Sequence, residues 1–440
     1  MRRTCCLTFA LVLVSTTIIQ ALPTLPVQSF DFATLQQDHH VLLDALKAIG
    51  IVAIKNVPRY ATTRKQCLTA AMHCVNSPAA KQSGRLGFRT LNDGTQRTTI
   101  STKARVGHPA VSAPQVDCAN YTSKLRDFSA VVDTAAVALA NALDLSVEEG
   151  KDSLTDIVLT ANHLDHLHQY VSPNMSFTDR TDGEDDQGDD QDDQDNNDGL
   201  SLSLHTDGGI AILMTVPQFN ELDDGEEVAK DDIVAGPAAS AGLVIQLPDS
   251  DDTVQPLLHE DELIVMVGDG MKAWTNTGLD INPVLHGMQM PRFDDKHGQV
   301  ARLWYGKMLL MPEDRVMKNT GMAFGAYTNA TTDYVTQERR LLDADFSSVA
   351  CPPHTRLVAT DQACALKQCQ ATKTSGASNG DCMKWCNAGG DTDQCAGSCE
   401  CGGSAKDKGL HCWMQCMSAS CAPGKQRVCA VSGVEATVCQ

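Results

Sequence analysis

The alternation of apolar and polar positions changes period several times along this chain, most sharply at Ser201–Val216. There Ser201, Ser203, His205 and Asp207 alternate with Leu202, Leu204 and Thr206, the two-residue period of a strand with one polar face. Gly208-Gly209 lets the chain turn, and the apolar run Ile210–Val216 reads as a second, buried strand. Upstream the period is helical. Leu35, Leu42, Leu43, Leu46 and Ile49 recur on one side, Gly50 stops the helix, and Ile51–Val57 reads as a strand before Pro58. Further helices are expected over Thr62–Cys74 and over Cys118–Leu145, the latter with Leu125, Phe128, Val132, Leu139 and Leu143 along one side. Residues 78–115 and 219–241 read as loops, the first with short strands in it, and residues 156–173 as a strand. Four β-like pieces follow: Gly242–Leu247, Glu262–Val267, Pro283–Met288 and Val300–Tyr305. Helices followed by short strands broken at turns predict a sandwich or jelly roll with helical support.

Composition adds a frame. A chain of 440 residues with 42% hydrophobic content holds a sizeable core and has room for more than one domain. The formal charge is −20, and eleven Asp/Glu against one Arg fall within residues 179–198, which excludes nucleic-acid binding through a basic surface. With no apolar residue from Thr178 to Gly199, residues 176–200 are expected to be a solvated, disordered insertion. Residues 1–21 have the charged start, apolar run and small final residue of a secretory signal peptide, and no later segment approaches transmembrane length. Sequons at Asn120, Asn174 and Asn329 fit a secreted, extracellular glycoprotein.

Cysteine usage agrees with that compartment. Thirteen of the 18 cysteines lie in Cys351–Cys439, a density that belongs to a disulfide scaffold. The spacings Cys382/Cys386, Cys395/Cys399 and Cys412/Cys416 are less like zinc sites than like disulfide partners. A small disulfide-rich module is therefore expected at 346–440, with a surface or cell-wall polymer as its candidate ligand. Cys67 and Cys74 are seven residues apart on one helix, about 10 Å, too far to bond each other. Cys118 takes at most one of them, and a bond from the odd core cysteine to the tail, for example to Cys351, would balance both counts.

Candidate chemistry centres on His-x-Asp. With 13 histidines in an Asp-rich chain, roughly one such triplet arises by chance. The chain has His163-Asp165, His205-Asp207 and His259-Asp261. A His and an Asp on one strand face need only a distant second His to make a two-histidine, one-carboxylate iron site. His166 and His168 also share a face; polar residues lining a cavity are the commoner reading of such a pair than a second metal site.

Read together, several phrases resemble the iron(II)/2-oxoglutarate-dependent dioxygenases of the isopenicillin N synthase-like group. These are SFDFATLQQDHHVLLDALKAIGIVAIKNVP, LHTDGGIAILMTV, GLVIQLPD, ELIVMVGDGMKAWTN, NPVLHGM and ARLWYGKMLLMP, in that order over roughly residues 27–315. The resemblance implies an α+β, β-dominated fold: a double-stranded β-helix at 151–345 after an N-terminal helical region at 22–150. It implies His205, Asp207 and His286 as Fe(II) ligands, Arg302 as the partner of the distal 2-oxoglutarate carboxylate, and Tyr170 as a further co-substrate contact. Oxygen and 2-oxoglutarate would be consumed, succinate and CO2 released, and a small-molecule or extracellular polymer substrate hydroxylated or oxidised. Arg292 lies nearer His286 in sequence but in a turn-like stretch. The chain departs from the group at Trp304, where a serine is expected. On the strand face of Arg302 an indole is expected to crowd the co-substrate. The rival class is a secreted binding or adhesion protein that keeps the fold without its chemistry.

Overall fold

The structure is a computed structural model that describes residues 22–329, apart from 84–85, 92, 109–117, 173–198, 224, 249 and 295, and the backbone of 426–431 and 434–439. The leader, the acidic insertion, the sequon Asn174 and most of the Cys-rich region lie outside the described residues, so the expectations made for them do too.

After two short strands, β1 (Thr24–Pro26) and β2 (Ser29–Asp31), α1 (His39–Ile49) buries Leu42, Leu43 and Leu46. Gly50 ends it with a left-handed φ of 72° and donates its amide to Leu46 O, a conformation glycine adopts without the Cβ penalty. The strand β3 (Ile51–Lys55) follows at once. Then come α2 (Tyr60–Asn76) and α3 (Pro78–Gln82), the antiparallel pair β4 (Gly87–Thr90) and β5 (Gln96–Ala104), the long α4 (Ala119–Asp144) and α5 (Leu154–Thr160). The segment read as one strand over 156–173 is thus α5 followed by β6 (His163–Val171), because Ser153 caps a helix by accepting from the Asp156 amide.

The second half is the barrel. Its strands are β7 (Leu202–His205), β8 (Ala211–Thr215), β9 (Gln218–Glu221), β10 (Glu227–Val228), β11 (Ile233–Ala235), β12 (Leu243–Gln246), β13 (Thr253–Leu257) and β14 (Leu263–Val267). After α6 (Asp269–Ala273) follow β15 (His286–Met288), β16 (Arg292–Phe293) and β17 (Val300–Leu309). The 219–241 stretch, read as a loop, therefore carries strands; β11 pairs with β16 as a separate two-stranded flap.

Two sheets face each other. The larger runs β2-β3-β14-β8-β17-β6-β5-β4, with β9 and β10 joined beside β17, and the smaller runs β1-β13-β12-β15-β7. From β7 onward the chain passes between them: β7 small, β8 large, β12 and β13 small, β14 large, β15 small, β17 large. This is the jelly roll that the strand spacing predicted, in the double-stranded β-helix form that the resemblance implied. The outer face of the larger sheet rests on α2 and α4, where Phe128 packs edge-on against Tyr305. Lys307 is buried there, its Nζ 2.7 Å from Asp133 Oδ1 and 2.9 Å from Asp165 Oδ1, with Ser129 Oγ at 3.0 Å. At 426–431 and 434–439 the Cys-rich region contains an antiparallel hairpin, β18 (Gln426–Val431) and β19 (Val434–Cys439).

Cys74 and Cys118 form a disulfide between α2 and the start of α4. Cys67 is free and fully buried. Burial pushes its thiol well up, and the tail cysteines of the expected core-to-tail bridge lie outside the described residues. No helix of the described residues is long and apolar enough to cross a membrane.

Candidate metal centre

The smaller sheet sets the centre. β15 pairs with β7 so that His286 stands directly opposite His205, their rings 4.5 Å apart. The chain leaves β7 at His205, and two residues later Asp207 turns back between the two rings. Its Oδ1 lies 3.9 Å from His205 Nε2 and its Oδ2 3.8 Å from His286 Nε2. One donor atom from each residue lies within 4.8 Å of the others, and this is the one such cluster among the described residues.

The hydrogen bonds on the far side of each ring fix what these atoms can do. His205 Nδ1 lies 2.9 Å from Ser203 O and His286 Nδ1 3.0 Å from Val284 O. A carbonyl only accepts, so each Nδ1 carries the proton and each Nε2 presents its lone pair toward Asp207. Burial, with the second imidazole beside it, pushes His205 down to about 4, so it stays neutral near pH 7. Two imidazole Nε2 atoms and a carboxylate, 3.8–3.9 Å apart, fit a divalent cation of the iron or zinc class.

A second turn holds Asp207 in place. The amides of Gly268, Asp269 and Gly270 donate to Ile210 O, Asp207 O and Gly209 O at 3.1, 2.9 and 2.9 Å. The approach is so close that a Cβ on Gly268 would stand 2.4 Å from Gly209 O. Thr206 Oγ1 donates to Asp269 Oδ2 at 2.7 Å. Burial raises Asp269 to about 6, with the Thr206 bond acting against the rise. Gly268-Asp269-Gly270 read in sequence as no more than the end of a strand; its grip on the ligand turn is a tertiary fact.

The larger sheet supplies the opposite wall. Cross-strand rows run Arg97, Tyr170, Arg302 and then Thr99, His168, Trp304 over β5, β6 and β17. Arg302 is 2% exposed; its Nε donates to Ala241 O at 2.6 Å and its guanidinium carbon lies 5.5 Å from the Tyr170 ring centre. No carboxylate of the described residues pairs with it, and burial alone lowers it to about 10. A buried guanidinium without an acid is costly unless an anion visits it.

Trp304 shares the strand face of Arg302, as the alternation implies. Its indole stacks on His168 at 4.7 Å, and its six-membered ring lies 2.8 Å from the point a Gly306 Cβ would occupy. Gly306 makes the room. His166 and His168 belong to no cluster of three or more ligating groups among the described residues; His168 bonds Thr99 Oγ1 at 3.0 Å and His166 Nδ1 at 3.3 Å. Of the other triplets, His163 bonds Val158 O and the Leu310 amide while Asp165 faces Lys307, and His259 and Asp261 are exposed on a turn. Arg292 is exposed on the flap.

No family model and no curated protein matches the sequence. Among solved structures, the chain is similar to the Arabidopsis thaliana dioxygenase for auxin oxidation bound to 2-oxoglutarate, at 15% identity and TM-score 0.45 over 66% of this chain and 94% of that one. It is similar to a putative oxygenase from Shewanella oneidensis at 14% identity and TM-score 0.47, over 72% and 100% of the two chains. A putative 2-oxoglutarate-Fe(II) oxygenase family protein from Caulobacter crescentus aligns at 12% identity and TM-score 0.43, over 66% and 87%.

Proposed function

We propose that this chain is a non-haem iron(II), 2-oxoglutarate-dependent oxygenase acting outside the cell. The observation that carries the reading is the converging pair of Nε2 lone pairs with Asp207 on one sheet, and the acid-free guanidinium of Arg302 on the sheet across from it. His205, Asp207 and His286 would hold Fe(II). Arg302, steadied by Ala241 O and the Tyr170 ring, would take the distal carboxylate of 2-oxoglutarate through its remaining N–H groups. The bound metal would supply oxygen activation coupled to decarboxylation of 2-oxoglutarate to succinate.

The rest is the work of the chain's own side chains. Ser203 O and Val284 O orient the two imidazoles, and the 268–270 turn fixes the carboxylate between them. Tyr170, Trp304, Met288 and Met290 form an apolar lining that limits water around the centre. Trp304, the chain's departure from the group's pattern, packs on His168 and toward the bare Cα of Gly306. Secretion is supported by the leader-like residues 1–21, by the Cys74–Cys118 disulfide and by the exposure of Asn120 and Asn329.

Anaerobic Fe(II) titration with and without 2-oxoglutarate tests the activity. One Fe(II) per chain, a visible charge-transfer band when 2-oxoglutarate is added, and succinate release requiring both are expected. Arg302→Gln should lose the band while keeping the iron. Absence of iron binding in the wild-type protein would refute the reading.

A further inference from the structure

Resting on that reading, we propose that the substrate is an amphipathic organic acid whose carboxylate is held by Arg97, toward the edge of the larger sheet. Arg97 stands on β5 opposite Tyr170, which itself stands opposite Arg302, so the aromatic ring separates two guanidiniums on one sheet face. The two differ in depth. Arg302 lies on β17 in the interior of the larger sheet, whereas β5 is one strand from its end, and β7 is the edge strand of the smaller sheet. Arg97 is thus the half-buried cation toward the edge of the sheet, beside the fully buried Arg302 of its interior.

Its charge is unspent. Arg97 Nε is buried without a hydrogen-bond acceptor, and no carboxylate of the described residues forms an ion pair with it. Asp93, on the turn before β5, uses its carboxylate on the Ser201 hydroxyl and the Thr95 amide. The field of Arg97 reaches the cavity wall, since it is one of the charges that hold His168 in its neutral form after burial itself. Two further polar atoms on the same face are buried without partners, Ser101 Oγ on β5 and Trp304 Nε1 on β17. Between these groups the surface is apolar: Leu91, Leu202, Met288 and Met290 pack around Tyr170 and Trp304. A ligand with an apolar body and one terminal anion satisfies both features, and an uncharged one leaves the guanidinium unpaired.

Calorimetric titration of the full-length protein with trans-cinnamate, 4-phenylbutyrate and decanoate, each beside its own amide, tests this. The titrations are run without added metal and again under anaerobic Fe(II) and 2-oxoglutarate. At least one acid is expected to bind on the order of tenfold or more tightly than its amide. Arg97→Met should bring that acid down to the amide's affinity, with the 2-oxoglutarate affinity and the melting temperature unchanged, and Arg97→Lys should retain part of the preference. No acid preferred over its amide, or a preference that survives Arg97→Met, overturns the proposal. So does Arg97→Met weakening 2-oxoglutarate instead, since Arg97 would then belong to the co-substrate. An Arg97-dependent acid preference without any 2-oxoglutarate binding would leave the acid site standing and remove the oxygenase reading.

Discussion

Thr206→Val isolates the turn that holds Asp207. Valine has the shape of threonine without the hydroxyl, so the change removes one hydrogen bond, Thr206 Oγ1 to Asp269 Oδ2 at 2.7 Å, and little else. A bond of this kind to a carboxylate contributes about 1.5–3 kcal/mol. Only part of that should reach the centre, because the Asp269 amide still donates to Asp207 O at 2.9 Å. The expected cost is about tenfold in Fe(II) affinity, or about 1.4 kcal/mol, at the low end of what the residues supporting a metal ligand are worth. Anaerobic competition with a chelator of known affinity reads the dissociation constant, and urea unfolding of the metal-free protein reads stability separately. Thr206→Ser keeps the hydroxyl and should stay near the wild type. If Thr206→Val lowers stability but leaves the Fe(II) affinity within about twofold, the turn merely stiffens the loop and does not place the ligand.

Other perturbations give independent checks. His286→Ala should abolish Fe(II) binding in equilibrium dialysis while the far-UV circular dichroism is unchanged. His163, pushed from 6.5 to about 4 by burial and then by the nearby Lys307, refuses a proton that the unfolded chain accepts. Its share of stability is full above pH 6.5 and falls away toward pH 4, roughly 3 kcal/mol in all, so His163→Gln should flatten that stretch of the stability–pH curve. Cys74→Ser opens a loop spanning 44 residues and should cost about 4 kcal/mol in the chain-entropy picture, read as a lower urea midpoint that reductant no longer changes. Gly306→Ala would place a methyl 2.7 Å from Ile212 Cδ1 and 2.8 Å from Trp304 Cζ3; a loss of about 1–3 kcal/mol with altered tryptophan emission is expected.

What the sequence revealed follows the physics of each segment. His205, Asp207 and His286 were legible because their strands combine a polar site face with apolar neighbours in a recognisable order. Strand β5 was not, since QRTTISTKA has polar residues on both sides: one face lines the cavity with Arg97, Thr99 and Ser101, and the other carries Thr102 toward Asp165. Without hydrophobic alternation, residues 78–115 read only as loop with short strands whose places were not marked. Arg97 stayed hidden with β5. The helix α5 was missed because its apolar residues run almost straight into those of β6, with only Ala161-Asn162 between them, and its one start signal, the Ser153 cap, lies ahead of the segment. The Asp269–Thr206 bond joins residues 63 apart in sequence, and Lys307 looks like a surface lysine until α4 brings Asp133 over it. Such pairings are set by packing, which no local period records.

Strand β17 has a consequence for how this chain tolerates insertions and deletions. Arg302, Trp304 and Gly306 face the cavity, while Leu303, Tyr305 and Lys307 face the helices, in strict alternation. Losing one residue ahead of Arg302 would exchange the two sets, sending a lysine to the site face and the guanidinium to the opposite face of the sheet. The strand therefore accepts substitutions singly but length changes only in multiples of two, and a two-residue change would still move the arginine by a whole row. Length changes are expected to be borne by connecting segments instead, such as the long acidic stretch between β6 and β7.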